Sequence, residues 1–113
     1  MKTVTLSVSS VEETKRQVAA AFRGKRQGEH ISFASIELLW KVLTVKRWEL
    51  LKVMTGQGEM TIREIARLLE RDVKAVHGDV QALLKAGVVE RTADAHVIFP
   101  YDAIHVDFTL RFA

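Results

Sequence analysis

Cysteine is missing altogether, and proline occurs once in 113 residues. Without a thiol there is no disulfide framework, no thiolate zinc site and no cysteine nucleophile. Long apolar runs are missing too. The longest is Val18 to Phe22, far below the roughly 20 residues that a membrane helix needs. The stretch Met1-Lys2-Thr3-Val4-Thr5-Leu6-Ser7-Val8 alternates instead of forming an apolar block, so it does not read as a secretory signal. No repeat, low-complexity tract or Pro/Gly-rich linker breaks the chain, which predicts one compact unit, expected to be cytoplasmic. With 48% hydrophobic and 27% charged residues, the composition is that of a folded chain and excludes wholesale disorder.

What charge there is has an uneven distribution. The formal net charge is +3. Residues 1–30 hold six basic and three acidic residues, 31–55 four and two, 56–87 five and five, and 88–113 two and four. The surplus therefore sits early, in Arg23, Lys25, Arg26, Lys46 and Arg47. A basic excess permits a polyanionic partner without requiring one. The same cations also suit solvated helix C-termini.

Periodicity and capping residues divide the chain into elements. Thr3 to Val8 reads as a strand with Val4, Leu6 and Val8 on one face. Ser10-Val11-Glu12-Glu13 is a capping box that opens a helix to about Arg23, with Val11, Val18 and Phe22 on its apolar side. Ile31 and Phe33 alternate in a short extended piece. Ser35 caps a helix to about Leu43, and Thr44 caps another that ends at Gly56. Thr61-Ile62-Arg63-Glu64 is a second capping box, and the joint Glu70-Arg71-Asp72 leads into a helix over 73–86. That helix carries Val73, Val76, Val80, Leu83 and Leu84 on one side and stops at Gly87. Val88 to Arg91 and His96 to Phe99 read as two strands around the tip Thr92-Ala93-Asp94-Ala95. Ile104, Val106, Phe108 and Leu110 then alternate with polar residues in a half-buried strand.

The predicted fold is α+β. A capped helix, a three-residue joint, an amphipathic helix and a hairpin, in that order, are the parts of a winged helix-turn-helix. Residues 1–34 form a strand-helix extension, and 35–113 form the winged unit with a final strand, all in one compact body.

On the 73–86 helix, the arc opposite the apolar one is centred near Gly78. Lys74, Ala75, Gln81, Ala82 and Lys85 lie around it, with Arg71 just ahead and His77 and Asp79 on its flanks. Small residues beside long donors suit a helix that enters the major groove closely. Gln81 matches adenine, and Lys74 or Arg71 matches guanine or phosphate. Mid-helix glycine costs about 1 kcal/mol against alanine. Gly78 therefore reads either as a point of close approach to DNA, as close packing against a neighbouring helix, or as a tolerated surface residue. Arg63 is placed for phosphate, and Arg91 and His96 straddle the wing tip. The candidate DNA-contacting set is thus Arg63, Arg71, Lys74, Ala75, His77, Gly78, Gln81, Lys85 and Arg91. Asp79 faces Arg47, and a structural ion pair is the expected arrangement.

Several stretches together resemble a known family. They are Phe33-Ala34-Ser35, Leu43-Thr44-Val45-Lys46-Arg47-Trp48-Glu49-Leu50-Leu51, and Ile65 to His77 with Asp79-Val80. Leu83, Gly87-Val88-Val89 and Phe99-Pro100-Tyr101-Asp102-Ala103-Ile104 complete the set. The chain resembles small prokaryotic predicted transcriptional regulators with a MarR-like winged helix, over about 70 residues. The resemblance implies a DNA-binding regulator, expected to repress. Some similar proteins are encoded beside a small toxin gene, which implies the alternative of an antitoxin that masks a toxin protein. The sequence departs from the family pattern at Gly78 and in a short wing whose tip has no glycine.

The helix after Ser35 is apolar almost all round, with only Glu37 and Lys41 charged. Such a helix must be covered on every side. A homodimer is therefore expected, with Val4, Leu6, Val8, Ile36, Trp40, Ile104, Val106 and Phe108 as the dimer or partner interface. The two terminal strands pair either within one chain or across two. Palindromic operators favour such two-fold dimers.

Nothing points to an enzyme. His30, His77, His96 and His105 are scattered. His77 and Asp79 lie about 200° apart on a helix and cannot share a ligand. His105 and Asp107 share a strand face but have no third ligand nearby, so no metal is expected. Gly56-Gln57-Gly58 lacks the lysine of a phosphate loop. No cofactor is expected.

Overall fold

A computed structural model describes residues 2–8, 29–110 and 112. The helix expected at 10–23, with Val11, Val18 and Phe22, and the cations Arg23, Lys25 and Arg26 lie outside the described residues. The order of elements is β1 (Thr3–Val8), β2 (Glu29–Phe33), α1 (Ile36–Val42), α2 (Val45–Met54), α3 (Ile62–Leu69), α4 (Val73–Ala86), β3 (Glu90–Arg91), β4 (Val97–Ile98) and β5 (Ala103–Asp107). The fold is α+β, with four helices and a small sheet among the described residues.

Each helix starts where a side-chain oxygen replaces a missing backbone partner. The Ser35 and Thr44 hydroxyls accept from the N–H groups of Leu38 and Arg47. Asp72 accepts from Lys74 and Ala75. At α3 the box is reciprocal: Thr61 Oγ1 accepts from the Glu64 N–H, and Glu64 Oε1 accepts from the Thr61 N–H. The Thr61 backbone N–H, and then its side chain, hold the Glu64 carboxyl below its ordinary range.

α3 and α4 end alike. A left-handed residue, Glu70 (φ 53°) or Gly87 (φ 85°), lets the next N–H reach back five residues. Arg71 donates to Ala66 O at 3.0 Å, and Val88 donates to Leu83 O at 3.0 Å. Gly87 adopts this conformation at no steric cost; Glu70 does not.

The sheet order is β2-β1-β5, and both pairings are parallel. The two terminal strands therefore pair within one chain. Val4 lies beside Ile104, and Leu6 lies between Ile31 and Val106. This face packs on the helices, and Val4 and Leu6 are fully buried. On the other face Thr5 stands between His30 and His105, and Ser7 between Ser32 and Asp107. The Ser7 hydroxyl is 2.6 Å from His30 Nε2.

Leu39 from α1, Leu50, Leu51 and Met54 from α2, Ile65 and Ala66 from α3, and Val76, Val80 and Leu83 from α4 complete the core. Val88, Val89, Val97, Phe99 and Tyr101 close it beneath the hairpin. Burying each large aliphatic side chain contributes about 1.5–3 kcal/mol. Tyr101 donates to Glu29 Oε2 at 3.4 Å. Burial, with the charges of Glu29 and Glu90 behind it, pushes the Tyr101 phenol above its usual range.

Several expectations need correction. The alternating pattern places Val4 and Leu6 at a dimer or partner interface, but the intrachain sheet seals them inside the core. The final strand stops at Asp107, short of Leu110, and the hairpin strands keep only two residues each. The hairpin is short because the N–H groups of Val88 and Val89 bond back to Leu83 O, at 3.0 and 3.4 Å, and so are spent on the α4 terminus. Within the described residues α1 keeps the uncovered apolar surface on which the dimer expectation rests. Leu39 is fully buried, whereas Leu38 and Trp40 remain 46% and 47% exposed.

Candidate functional site

α4 presents two faces of different chemistry. Val76, Val80 and Leu83 point into the core. Lys74, Ala75, His77, Gly78, Gln81 and Lys85 are all exposed. His77 Nε2 and Gln81 Nε2 lie 3.5 Å apart along this ridge. Around Gly78 a β-carbon would meet no atom within 4 Å. Close packing against a neighbouring helix is thus excluded as its reason among the described residues, and the backbone there is open to an approaching surface.

The single carboxylate of α4, Asp79, is turned away from this ridge. Arg47 Nε donates to Asp79 Oδ1 at 3.0 Å, and Arg71 Nη2 donates to Oδ2 at 2.8 Å. Arg47 also donates through Nη1 to the carbonyls of Lys41 and Val42, at 2.8 and 3.0 Å. One guanidinium therefore joins the C-terminal carbonyls of α1, the first turn of α2 and the middle of α4. Burial disfavours the charge on Asp79, but hydrogen bonds from Arg71 and Arg47, aided by their charges, outweigh it and hold the carboxyl below its usual range.

Arg71 thereby differs from the free donor that its position suggests. It is half-buried and bound to Asp79, and its Nη1 is buried with no hydrogen-bond partner. It serves as a strut that fixes the joint to α4. Its proximity to Asp79 is not apparent from helical periodicity, because Arg71 lies ahead of the helix and only the αL bend at Glu70 turns it back.

Arg63 on α3 and Arg91 on β3 are exposed. The hairpin is tied to the helices by a connection that the apolar pattern does not announce. Met60 and Val97 exchange backbone hydrogen bonds of 2.9 and 2.8 Å, forming an antiparallel bridge just ahead of α3. At the tip, Asp94 (φ 58°) and Ala95 (φ 60°) are both left-handed, as in the primed turns of tight hairpins. His96 Nδ1 lies 2.8 Å from the Asp94 carbonyl.

No group of three or more His, Asp or Glu side chains able to hold a metal exists among the described residues. None of the described helices is long and apolar enough to cross a membrane. Ile36, Val8 and Ile104 are half-buried, and Val8 and Ile104 pack on the core. Trp40 meets the ring of Phe108 edge-on, with centroids 5.6 Å apart.

No curated protein matches the chain. A family model matches residues 42–106, from the end of α1 to β5, which holds α2, α3, α4 and the hairpin. By this match, over more than half of its length, the chain belongs to the HVO_A0114 family.

Proposed function

We propose that the chain is a sequence-specific DNA-binding regulator, expected to repress, whose residues 35–113 form a winged helix-turn-helix. α3, the joint 70–72 and α4 are the helix-turn-helix, and the β3–β4 hairpin is the wing. One observation carries this reading. The only carboxylate on α4 is neutralised internally by Arg47 and Arg71, so the exposed ridge offers lysine cations and the polar groups of His77 and Gln81 with no carboxylate of the helix among them, around the open backbone of Gly78. Such a ridge fits the major groove, where Lys and Gln meet base edges and phosphate. Arg63 and Arg91 contact flanking phosphates, and Arg71 supports the ridge without touching DNA.

The test is selection of bound duplexes by the purified protein at a stated salt concentration. Enriched sequence and an affinity that falls steeply with added salt are expected. Lys74→Glu abolishes binding while leaving the melting temperature within about 2 °C of wild type, since Lys74 is exposed. Absence of binding even at low salt, or unchanged binding by Lys74→Glu, overturns the reading.

A further inference from the structure

The sheet has an open side that the DNA reading does not use. β5 pairs with β1 and has no second neighbour among the described residues. Beside its free edge, between β5 and α2, runs a groove of about 410 Å³ lined by Leu43, Trp48, Leu51, Phe99, Ile104 and Val106. Trp48 and Val106 remain 48% and 37% exposed there. The core face of the sheet thus continues past its last strand into a mainly apolar trough, with Lys52, Thr55 and Asp102 also in its lining. An unprotected strand edge of this kind is a template for another strand.

We propose that a second copy of this chain occupies it, its β5 pairing antiparallel with β5 across a two-fold axis through Val106. The polar side chains of the strand select this register, because it sets a hydrogen-bond donor against a carboxylate. With Val106 opposite Val106 of the second copy, His105 faces Asp107 of the other chain twice, once on each side of the axis. Ile104 then faces Phe108 on the groove side. Moving the axis to His105 sets imidazole against imidazole, and moving it to Asp107 sets carboxylate against carboxylate. Placing the axis between two residues, which changes the pairing by an odd number, would turn the apolar face of one copy outward. His105 and Asp107 are both exposed and thus free to make these contacts. The groove-side residues of the incoming strand continue the layer of Val4, Leu6, Ile104 and Val106 across the axis, giving a six-stranded sheet. Trp40, packed edge-on against Phe108, supports the outer end of the contact, where Phe108 meets Ile104 of the second copy. This interface shares no residue with the α4 ridge and stands whether or not that ridge binds DNA.

Sedimentation equilibrium over a concentration series, without DNA and at 0.15 M salt as about the physiological ionic strength, tests it. The wild type is expected at twice 12.8 kDa. His105→Glu places two like-charged pairs across the axis and raises the dimer Kd about tenfold. Adding Asp107→Lys to His105→Glu restores opposite charges, and the Kd returns to within about threefold of wild type. Val106→Lys, which puts two ammonium groups on the axis, gives monomers with an unchanged circular dichroism spectrum. A wild type that stays monomeric at about 100 μM, far weaker than specific interfaces, overturns the proposal and leaves the edge to a different protein. A dimer indifferent to His105→Glu, or one not rescued by the double change, overturns the register even where Val106→Lys fails to fold.

Discussion

Replacing Asp79 by Asn removes the charge on which Arg47 and Arg71 converge while keeping shape and one acceptor. The loss is unequal on the two sides. Arg47 retains the Lys41 and Val42 carbonyls, whereas Arg71 has only Asp79 and already has one buried nitrogen without a partner. The three side chains are 16–19% exposed, so solvent screens the pair less than at a surface and more than in a dry core. A charge-assisted hydrogen bond contributes about 1.5–3 kcal/mol, and breaking a fully buried pair costs about 3–5 kcal/mol. One neutral bond survives in Asn and exposure is partial, so the expected loss is about 2–3 kcal/mol. For a chain of this length each kcal/mol moves the melting temperature by about 4 °C, giving a fall of about 10 °C. Urea unfolding followed by circular dichroism measures it directly. Because the folded state lowers the pKa of Asp79, its stabilisation is complete above the ordinary carboxylate range and is lost as pH falls through the folded value. The gap between wild type and variant therefore stays constant from about pH 6 to 8 and closes below about pH 4. A loss under about 0.5 kcal/mol, the level of an exposed pair, or a gap that persists at low pH, refutes the claim that this carboxylate holds α2, the joint and α4 together.

Other consequences concern single residues. Gly78→Ala fills open space on a helix and raises stability by about 1 kcal/mol in thermal melts, while DNA affinity falls if the backbone there approaches the groove. Glu70→Gly and Ala95→Gly relieve left-handed conformations and each adds about 0.5–1 kcal/mol in urea titrations; a loss at either would show the side chain to be needed for contacts. Leu50→Ala, at a fully buried site, costs about 2–5 kcal/mol by the same titration.

The elements lie close to the sequence because their causes are local. Ser35, Thr44, Thr61 and Asp72 each cap the helix that follows them, and Gly87 ends α4, since a cap needs only the residues of its own turn. β1 keeps the bounds of its alternating run. The exposed ridge of α4 follows from a period of 3.6 residues and nothing else. Even the partnership of Arg47 with Asp79 follows once two neighbouring helices are oriented by their apolar faces.

Cysteine-free and almost proline-free, the chain leaves its architecture to packing, and packing is where sequence alone stops. Alternation marks Val4 and Leu6 as facing one side, yet cannot say whether that side meets a second chain or its own helices. Only the tertiary arrangement, with β1 between β2 and β5 and packed on the helices, buries them. Arg71 carries the same signal as a free surface cation until the bend at Glu70 brings it to Asp79. The Met60–Val97 bridge joins positions far apart in the chain and leaves no periodic trace. Short-range order is encoded by residues that touch within a turn. Which strand edge stays open and which cation is spent inside depend on contacts across the chain, and those exist only when it is folded.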